Sequence, residues 1–369
     1  MKALVTGGAG LIGSHLVDLL LEKGFQVKIL DSLVEPTHLK GKPPWIPKEA
    51  EFILGDVRNM KDLDIALDGV DYVFHQAAEG GFMPEIAKYV HANCLGTANL
   101  IELIIKKHPV KKLVVASSQA VYGEGKYSCS EHGTINPDLR SVSQLSKKEW
   151  ESKCPICNLD LIPLPTDENS NIGAETTYAI SKYTQERLTI GLGKGYDIPT
   201  VALRYSVTYG PRQSIFNPYT GVCSIFSTRM LNGLPPIVYE DGRQTRDFIY
   251  VGDVAKANLA VAESDEATHQ VFNVGTGKQT SVLSLIAALA KKYNLDIEPL
   301  MRNEFRPGEV RHLFADNSKL RSIGWKPEVI LDEGVDKYVE WIKTQSDIKE
   351  YFSKAEEQLK KMKVVMNTN

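Results

Sequence analysis

The first 31 residues hold the feature that most restricts the fold of this chain. A short apolar strand at residues 2–6 leads into the glycine-rich turn Gly7-Gly8-Ala9-Gly10-Leu11-Ile12-Gly13, and an amphipathic helix follows. A second apolar stretch, residues 26–30, ends at Asp31. Glycines in such a turn let the backbone approach a pyrophosphate, and the N-terminus of the helix favours its negative charge. The segment therefore predicts a dinucleotide-binding unit.

The residue after the second stretch indicates which dinucleotide is bound. Asp31 lies where a carboxylate can accept a hydrogen bond from a ribose 2′-hydroxyl. Ser32 and Leu33 follow, and neither offers a cation for a 2′-phosphate. NAD is therefore favoured over NADP. A tight strand-to-helix turn without a ligand is the alternative, but the strand, the helix and the terminal acid all agree with binding.

Composition excludes several classes of protein. The chain has 369 residues, 43% of them hydrophobic and 24% charged, which is ordinary for a globular protein. A net charge of −3 argues against nucleic-acid binding. No apolar run approaches the roughly 20 residues that span a bilayer. Since the first strand begins at residue 2 and the five cysteines do not suggest a secreted disulfide framework, we expect a cytoplasmic enzyme.

Strand and helix patterns alternate along the first half of the chain. Apolar strands are predicted at residues 52–54, 72–75 and 113–116, with helical patterns between them. This order predicts an α/β fold with a doubly wound, Rossmann-type parallel sheet. We expect an NAD-binding domain over 1–204 with a cysteine-bearing insert at 124–173. A smaller α/β substrate-binding domain over 205–345, partly interleaved with the first, and a helical tail over 346–369 complete the prediction.

A tyrosine and a lysine four residues apart carry the predicted chemistry. Tyr178 and Lys182 share one face of a helix, where an ammonium should lower the pKa of the phenol. Ser118, at the end of a strand, can bind the same substrate oxygen. The three residues suit removal of a hydroxyl proton while its carbon gives a hydride to NAD⁺. A surface tyrosine beside a solvated lysine is the alternative, which the nucleotide fold disfavours.

Nine motifs together resemble one family over residues 1 to about 341. They are TGGAGLIG (6–13), GDV (55–57), HQAA (75–78), NCLGT (93–97), SSQAVYG (117–123), YAISK (178–182), YGPRQ (209–213), RDFIYVGDVA (246–255) and NVGTG (273–277). The chain thereby resembles the extended short-chain dehydrogenase/reductase family of nucleotide-sugar epimerases and dehydratases. The resemblance implies that Tyr178 is the base, Ser118 its partner, and Lys182 a ligand of the nicotinamide ribose.

The resemblance also implies binding residues. With the glycine-rich turn, it predicts NAD contacts at Gly7, Gly10, Leu11, Ile12, Gly13, Asp31, Asp56, Val57, Ala77, Ala78 and Lys182. It places Arg246, Arg306 and Arg311 where the family binds the substrate diphosphate, and guanidinium groups suit phosphates. A surface ion pair is the alternative for each arginine. The family pairs the helices matching about 84–107 and 177–192 between subunits, so a homodimer is expected.

The two residues after Ser118 reduce the number of reactions that the chain could catalyse. A 4,6-dehydratase of this family has an Asp-Glu pair there, whereas this chain has Gln119 and Ala120. A 4-epimerase needs only oxidation, rotation of the keto sugar and return of the hydride, so we predict a nucleotide-sugar 4-epimerase. The run 212–226 and the insert look most like dTDP-L-rhamnose 4-epimerases, although Ser206-Val207 replaces a usual Phe-Asn. The alternatives are a dehydratase, decarboxylase or dehydrogenase, or a non-catalytic NAD-sensing regulator, which would not need the catalytic residues.

The insert carries a separate signal. Cys129 and His132 form one close pair, and Cys154 and Cys157 form another. Two such pairs on turns are what a closed tetrahedral zinc site requires, and Asn158 tolerates the left-handed turn of a zinc knuckle. The alternatives are four incidental loop residues or a disulfide at Cys154. We expect a structural zinc ion here, because four protein ligands leave no position for a substrate.

Overall fold

The computed structural model describes residues 1–219 and 221–368, and its centre is a seven-stranded sheet. The strands are β1 (Lys2–Thr6), β2 (Gln26–Asp31), β3 (Glu51–Leu54), β4 (Tyr72–His75), β5 (Lys112–Ser118), β6 (Tyr127–Cys129), β7 (Gly133–Ile135), β8 (Ile162–Pro163), β9 (Thr200–Tyr205), β10 (Val207–Tyr209), β11 (Ile237–Val238), β12 (Thr245–Arg246), β13 (Phe248–Tyr250), β14 (Gln270–Val274), β15 (Thr280–Ser281), β16 (Leu300–Met301), β17 (Glu304–Phe305), β18 (His312–Leu313) and β19 (Met366–Asn367). The large sheet has the order β14-β9-β5-β4-β1-β2-β3, and every neighbouring pair is parallel. The predicted doubly wound fold is confirmed.

Helices cover both faces of this sheet. They are α1 (Leu11–Glu22), α2 (Met60–Leu67), α3 (Ile86–Tyr89), α4 (Gly96–Lys106), α5 (Val142–Ser146), α6 (Thr177–Gly195), α7 (Val222–Leu231), α8 (Val251–Glu263), α9 (Val282–Tyr293), α10 (Ser318–Ser322), α11 (Leu331–Lys343) and α12 (Phe352–Lys361). A π-helical segment, Val90–Leu95, joins α3 to α4. Leu16 of α1 packs with Val5 on one face, and Leu100 of α4 packs with Leu4 on the other. Successive side chains of β1 therefore point to opposite faces of the sheet, and the core has two layers, one on each face.

A second, smaller core lies in the part of the chain that is predicted to bind the substrate. We call this part the substrate-side unit. Helices α7, α9 and α11 bury Phe226, Leu289 and Val339 around short two- and three-stranded sheets. The two units interleave more deeply than a boundary at residue 204 implies. Strand β14 pairs with β9, and α8 packs against α1, so both belong to the large sheet and its core. Without β14, the strand β9 would be an unpaired edge of the sheet.

The insert and the tail are both attached to the substrate-side unit. In the insert, β6, β7 and β8 form a small antiparallel sheet around Tyr127 and Leu161. Its Arg140 is buried and donates hydrogen bonds to the carboxylates of Glu124 and Glu240. The tail adds α12 and the strand β19, which pairs with β17. None of the described helices has both the length and the apolar character needed to cross a bilayer.

Candidate active site

A cavity of about 1180 Å³ opens at the carboxyl ends of the central strands, where ligands of doubly wound sheets bind. Its cofactor end is lined by Gly7, Gly10, Leu11, Ile12, Gly13, Asp31, Val57, Ala77 and Ala78. Its substrate end is lined by Phe82, Tyr239, Arg246 and Arg306. Ser118, Tyr178 and Lys182 also line this cavity. One space therefore brings together most of the residues that the sequence predicts for the site.

The glycine-rich turn is too crowded for side chains. Gly7 has a φ of +68°, and a Cβ atom there would lie 2.7 Å from the backbone nitrogen of Ala77. A Cβ atom at Gly13 would lie 2.2 Å from the carbonyl oxygen of Gly7. Since Gly10 precedes α1 without a side-chain cap, the first N–H groups of that helix face the cavity. This backbone suits a pyrophosphate.

Asp31 ends β2 and holds the turn together. Its carboxylate accepts hydrogen bonds from the backbone N–H groups of Ala9 and Leu33, both at 2.9 Å. These bonds leave further lone pairs for a ribose hydroxyl. Asp56, in contrast, is not among the residues that line the cavity. Its carboxylate pairs with Arg58, and that hydrogen bond lowers the pKa of Asp56.

The loop after Asp31 contributes residues that sequence reasoning missed. His38, Lys40 and Lys42 line the same cavity, and Nε2 of His38 lies 3.9 Å from Oδ1 of Asp31. Burial lowers the pKa of His38. Each lysine ammonium lies over a phenylalanine ring, 5.4 and 4.4 Å from the two centroids. The sequence identifies only Ser32 and Leu33 as neighbours of Asp31, because more distant loop positions cannot be placed without the fold.

The catalytic candidates come from two neighbouring elements. Ser118 is the last residue of β5, and Tyr178 is the second residue of α6, which Thr176 caps by accepting from the N–H of Ala179. Lys182 follows one turn later on the same helix. Burial raises the pKa of Tyr178, and a hydrogen bond with Ser118 opposes that rise. The expectation that Lys182 lowers this pKa is therefore not met in the protein alone, because desolvation of the phenolate dominates.

Lys182 is 2% exposed and belongs to a buried hydrogen-bond network. Its Nζ donates to Oε1 of Gln185 at 2.7 Å, and Nε2 of Gln185 donates to Oγ1 of Thr97 at 2.8 Å. The same hydroxyl lies 3.0 Å from Nε2 of His75. Burial lowers the pKa of Lys182 to about 7 and that of His75 to about 3. Sequence reasoning missed Gln185, although its spacing of three residues places it on the lysine face of the helix.

Two of the three predicted arginines line the cavity. The guanidinium of Arg306 lies between the rings of Phe82 and Tyr239, at 4.6 and 4.7 Å from their centroids. Among the described residues its buried Nε has no hydrogen-bond partner. Arg246 pairs with Glu309 at 2.6 Å and keeps one side to the cavity. Both are placed to meet an anion.

Arg311 is not brought to this cavity. Its side chain is fully buried, and its guanidinium donates to the carboxylates of Glu151, Glu240 and Asp241 at 2.6, 3.2 and 2.7 Å. A diphosphate there would have to displace these carboxylates. The structure therefore assigns Arg311 to the junction between the insert and the substrate-side unit.

The four predicted metal ligands do meet. Their ligand atoms all lie within 4.8 Å of one another. Sγ of Cys129 lies 3.6 Å from Nδ1 of His132 and 3.6 Å from Sγ of Cys157. Sγ of Cys154 lies 3.7 Å from the same Nδ1 atom. Because a disulfide requires about 2.05 Å between its sulfurs, the alternative of a disulfide at Cys154 is excluded, and all five cysteines are free.

The sequence and the fold of this chain are similar to those of known proteins. Residues 3–147 and 158–275 match the NAD dependent epimerase/dehydratase family. A dTDP-L-rhamnose 4-epimerase of Burkholderia thailandensis is 31% identical over 356 residues, covering 94% of this chain and 96% of the relative. The crystal structure of a Thermotoga maritima UDP-glucose 4-epimerase with UDP-glucose has 32% identity and a TM-score of 0.77, covering 93% and 99%. A Thermus thermophilus UDP-glucose 4-epimerase in complex with NAD has 30% identity and a TM-score of 0.74, with the same coverage.

Proposed function

The chain belongs to the NAD-dependent epimerase/dehydratase family, and within it we propose that the protein is an NAD-dependent 4-epimerase of nucleotide-diphosphate sugars. One observation carries the proposal. Ser118, Tyr178 and Lys182 line one cavity with the glycine-rich turn, and the two residues after Ser118 line it without a carboxylate. The machinery for oxidation is thus present, while the acid pair of a 4,6-dehydratase is not.

Proton transfer in this proposal is the task of Tyr178. Its phenolate takes the proton of the sugar 4-hydroxyl, and Ser118 holds the same oxygen by a hydrogen bond. Lys182, four residues along the helix, would support the phenolate when its amine is protonated, and burial lowers its pKa to about 7. The cofactor held by residues 7–13 and Asp31 would supply the hydride acceptor for C4 and the donor that returns the hydride. Rotation of the keto sugar before Tyr178 gives the proton back inverts the configuration at C4.

The cofactor fits the residues of the cofactor end. The backbone of 7–13 would hold the pyrophosphate, because side chains there would block it. Asp31 would accept from the adenosine ribose, and Val57, Ala77 and Ala78 would line the remaining path. Lys182 would bind the nicotinamide ribose once it exchanges its hydrogen bond with Gln185.

The substrate end suits a diphosphate. Arg306 is held rigidly by two aromatic rings, and its Nε has no partner among the described residues. Arg246 presents a second guanidinium to the same space. Forked, permanently charged donors match phosphate oxygens. We assign the diphosphate of the sugar nucleotide to these two arginines and not to Arg311.

A substrate panel tests the proposed reaction. Purified protein is incubated separately with UDP-glucose, UDP-glucuronic acid and dTDP-L-rhamnose, and proton NMR follows each sugar. We expect the 4-epimer of one of them to accumulate to an equilibrium without added NAD. Loss of water, release of carbon dioxide or net formation of NADH would support the dehydratase, decarboxylase or dehydrogenase alternative. Absence of any turnover across a wider panel would support the NAD-sensing regulator.

We further propose that Cys129, His132, Cys154 and Cys157 hold a structural zinc ion. Zinc bound at about 2.3 Å from sulfur and about 2.0 Å from nitrogen separates tetrahedral ligand atoms by roughly 3.5–3.8 Å. The separations of 3.6, 3.6 and 3.7 Å agree with that geometry. Asn158 has a φ of +62°, as a knuckle turn requires. Because the site is closed by four protein ligands, its role is to fold the insert.

A homodimer is also proposed, from exposed apolar side chains on the two predicted helices. Ile86, Val90, Leu95 and Ile180 are between 44% and 61% exposed. Such residues on neighbouring helices mark an interaction surface. Light scattering at micromolar concentration should give a dimer, and the double variant Ile86→Glu/Ile180→Glu should give a monomer. Ile65→Glu, on a different helix and equally exposed at 61%, is the control and should remain dimeric.

A further inference from the structure

We propose that the C-terminal tail is part of the substrate site and that its Lys363 binds the diphosphate of the sugar nucleotide beside Arg306. This inference rests on the proposed function and extends it to residues 346–368. The family match ends at residue 275, so nothing in that match assigns a role to this segment. Four tail residues, Ser346, Phe352, Lys363 and Val364, line the same cavity as Tyr178.

The end of α12 directs the chain back toward the cavity. Lys363 has a φ of +57°, the left-handed conformation that ends a helix and reverses the chain. Its N–H donates to the carbonyl oxygen of Lys360 at 3.0 Å, and the next N–H, of Val364, donates to that of Leu359 at 2.9 Å. The residues that follow then reach β19. Lys363 is therefore held at the cavity by a defined turn and not at a frayed end.

Strand pairing joins the tail to the strand that leads to Arg306. In the antiparallel pair of β17 and β19, Phe305 lies opposite Met366. Arg306 directly follows β17, and Lys363 lies three residues before β19. The pairing also fixes the strand that delivers Arg306 to the cavity. The tail thus contributes one cation and supports the other.

The tail also packs against the aromatic support of Arg306. Phe352 and Leu359 are buried with Ile237, and Tyr239 packs on the same cluster. The ring of Tyr239 is one of the two that hold the Arg306 guanidinium. Removing the tail would therefore loosen both the strand before Arg306 and the ring beside it.

Among the lysines of the tail, Lys363 is the one that lines the cavity in the described part of the chain. The ammonium of Lys360 pairs with Glu304 at 2.6 Å and with Glu356 at 3.4 Å. Lys363 is exposed, and no carboxylate within residues 1–219 and 221–368 lies within 4.0 Å of its ammonium. Its ammonium, with no carboxylate partner among the described residues, lies at the wall of a cavity that also holds Arg246, Arg306 and their shared partner Glu309. A cluster with three cations and one carboxylate suits a doubly charged anion.

Three variants test the proposal. Lys363→Met removes the charge, and Lys363→Arg keeps it. Lys361→Met removes an exposed charge at the last residue of α12, which does not line the cavity. We measure the dissociation constants of UDP and dTDP by calorimetry, the KM and kcat for the sugar nucleotide, and the bound NAD content. Lys363→Met should weaken nucleotide binding and raise KM about tenfold, as expected for a charge-assisted hydrogen bond. Its kcat and NAD content should stay within twofold of wild type.

The controls separate this inference from the proposed function. Lys363→Arg should restore binding to within about threefold, and Lys361→Met should match wild type. Equal affinities of wild type and Lys363→Met for UDP and dTDP would overturn the role of Lys363 and leave the 4-epimerase function standing. If wild type binds neither nucleotide nor any sugar nucleotide, both proposals fall. Equal losses in Lys363→Met and Lys361→Met would reduce the effect to net charge and also overturn the role.

Discussion

The cofactor end of the cavity is built mainly from backbone, whereas the substrate end is built from side chains. Gly7 and Gly13 shape the cofactor end by having no side chain, and the start of α1 supplies its N–H groups. At the substrate end, Phe82, Tyr239 and Arg306 come from segments far apart in sequence and form one stack. The first end needs only a local turn, while the second depends on how the insert, the tail and the substrate-side unit assemble.

The largest effect on turnover is expected from a change at Tyr178, which lies where the cofactor end and the substrate end of the cavity meet. Tyr178→Phe removes the phenol that takes the proton and should lower kcat roughly 100- to 10,000-fold. Bound NAD and the affinity for UDP should not change, because neither end is altered. Turnover and both binding constants are measured on the same preparation. Tyr183→Phe, on the same helix, is the matched control and should retain activity. Near-normal turnover by Tyr178→Phe would remove Tyr178 as the base.

A change confined to the insert should damage the substrate end alone. The Cys154→Ser/Cys157→Ser variant loses two metal ligands, and zinc binding contributes on the order of 10 kcal/mol in small zinc domains. We expect loss of zinc, rapid proteolysis within 124–173 and a large loss of activity, while NAD stays bound. Cys94→Ser, outside the cluster, is the control. Elemental analysis showing wild-type protein with far less than one zinc per chain, after purification without chelators, would contradict the site.

A substitution at Asp31 should impair the cofactor end of the cavity and leave the substrate end intact. Asp31→Ala removes the acceptor for the ribose hydroxyl and the bonds to Ala9 and Leu33. We expect NAD to bind about tenfold or more weakly, with the preference for NAD over NADP reduced and UDP affinity unchanged. Titration of the cofactor-free protein with both dinucleotides measures this. A wild type that prefers NADP, with the same preference in the variant, would refute our interpretation of Asp31.

Ser118→Ala should have a milder effect on turnover than loss of the base. It removes one hydrogen bond to the reacting oxygen and the cap on the N–H of Ala120. A loss of about tenfold in kcat is expected, with both binding constants preserved. Steady-state kinetics beside Tyr178→Phe give the comparison. A loss as large as that of Tyr178→Phe would mean that Ser118 does more than hold the oxygen.

The smallest expected effect is a pH dependence of stability. Burial lowers the pKa of Lys182 from 10.5 to about 7, so between these values the unfolded chain holds a proton that the folded chain does not. The free energy of unfolding should therefore rise with pH in this window because of Lys182. Urea denaturation of the cofactor-free protein at pH 7, 8 and 9 should show a shallower slope for Lys182→Met than for wild type. The free energy of unfolding of Lys361→Met should depend on pH as that of wild type does. If all three proteins showed the same pH dependence, the lowered pKa of Lys182 would be contradicted.

The difference between the two ends also decides how much could be predicted from sequence. The glycine-rich turn and Asp31 lie within one βαβ unit, so spacing alone located the cofactor end. The cluster of Cys129, His132, Cys154 and Cys157 could be predicted because close pairs are local as well. Gln185, the rings around Arg306 and the burial of Arg311 depend on tertiary packing, which no local pattern carries. The strand β14 was missed as part of the large sheet for the same reason.

The position of β14 has a consequence for how the protein is made. During synthesis, residues 1–205 leave the ribosome with six strands of the sheet complete, and β9 then forms its open edge. The strand that covers this edge, β14, is translated only after β10 to β13 and α8. Until then, the nascent chain exposes an edge that can pair with another chain. A fragment that ends at residue 204 would therefore keep β9 as an unpaired edge, and the large sheet is completed only after β14 has been translated.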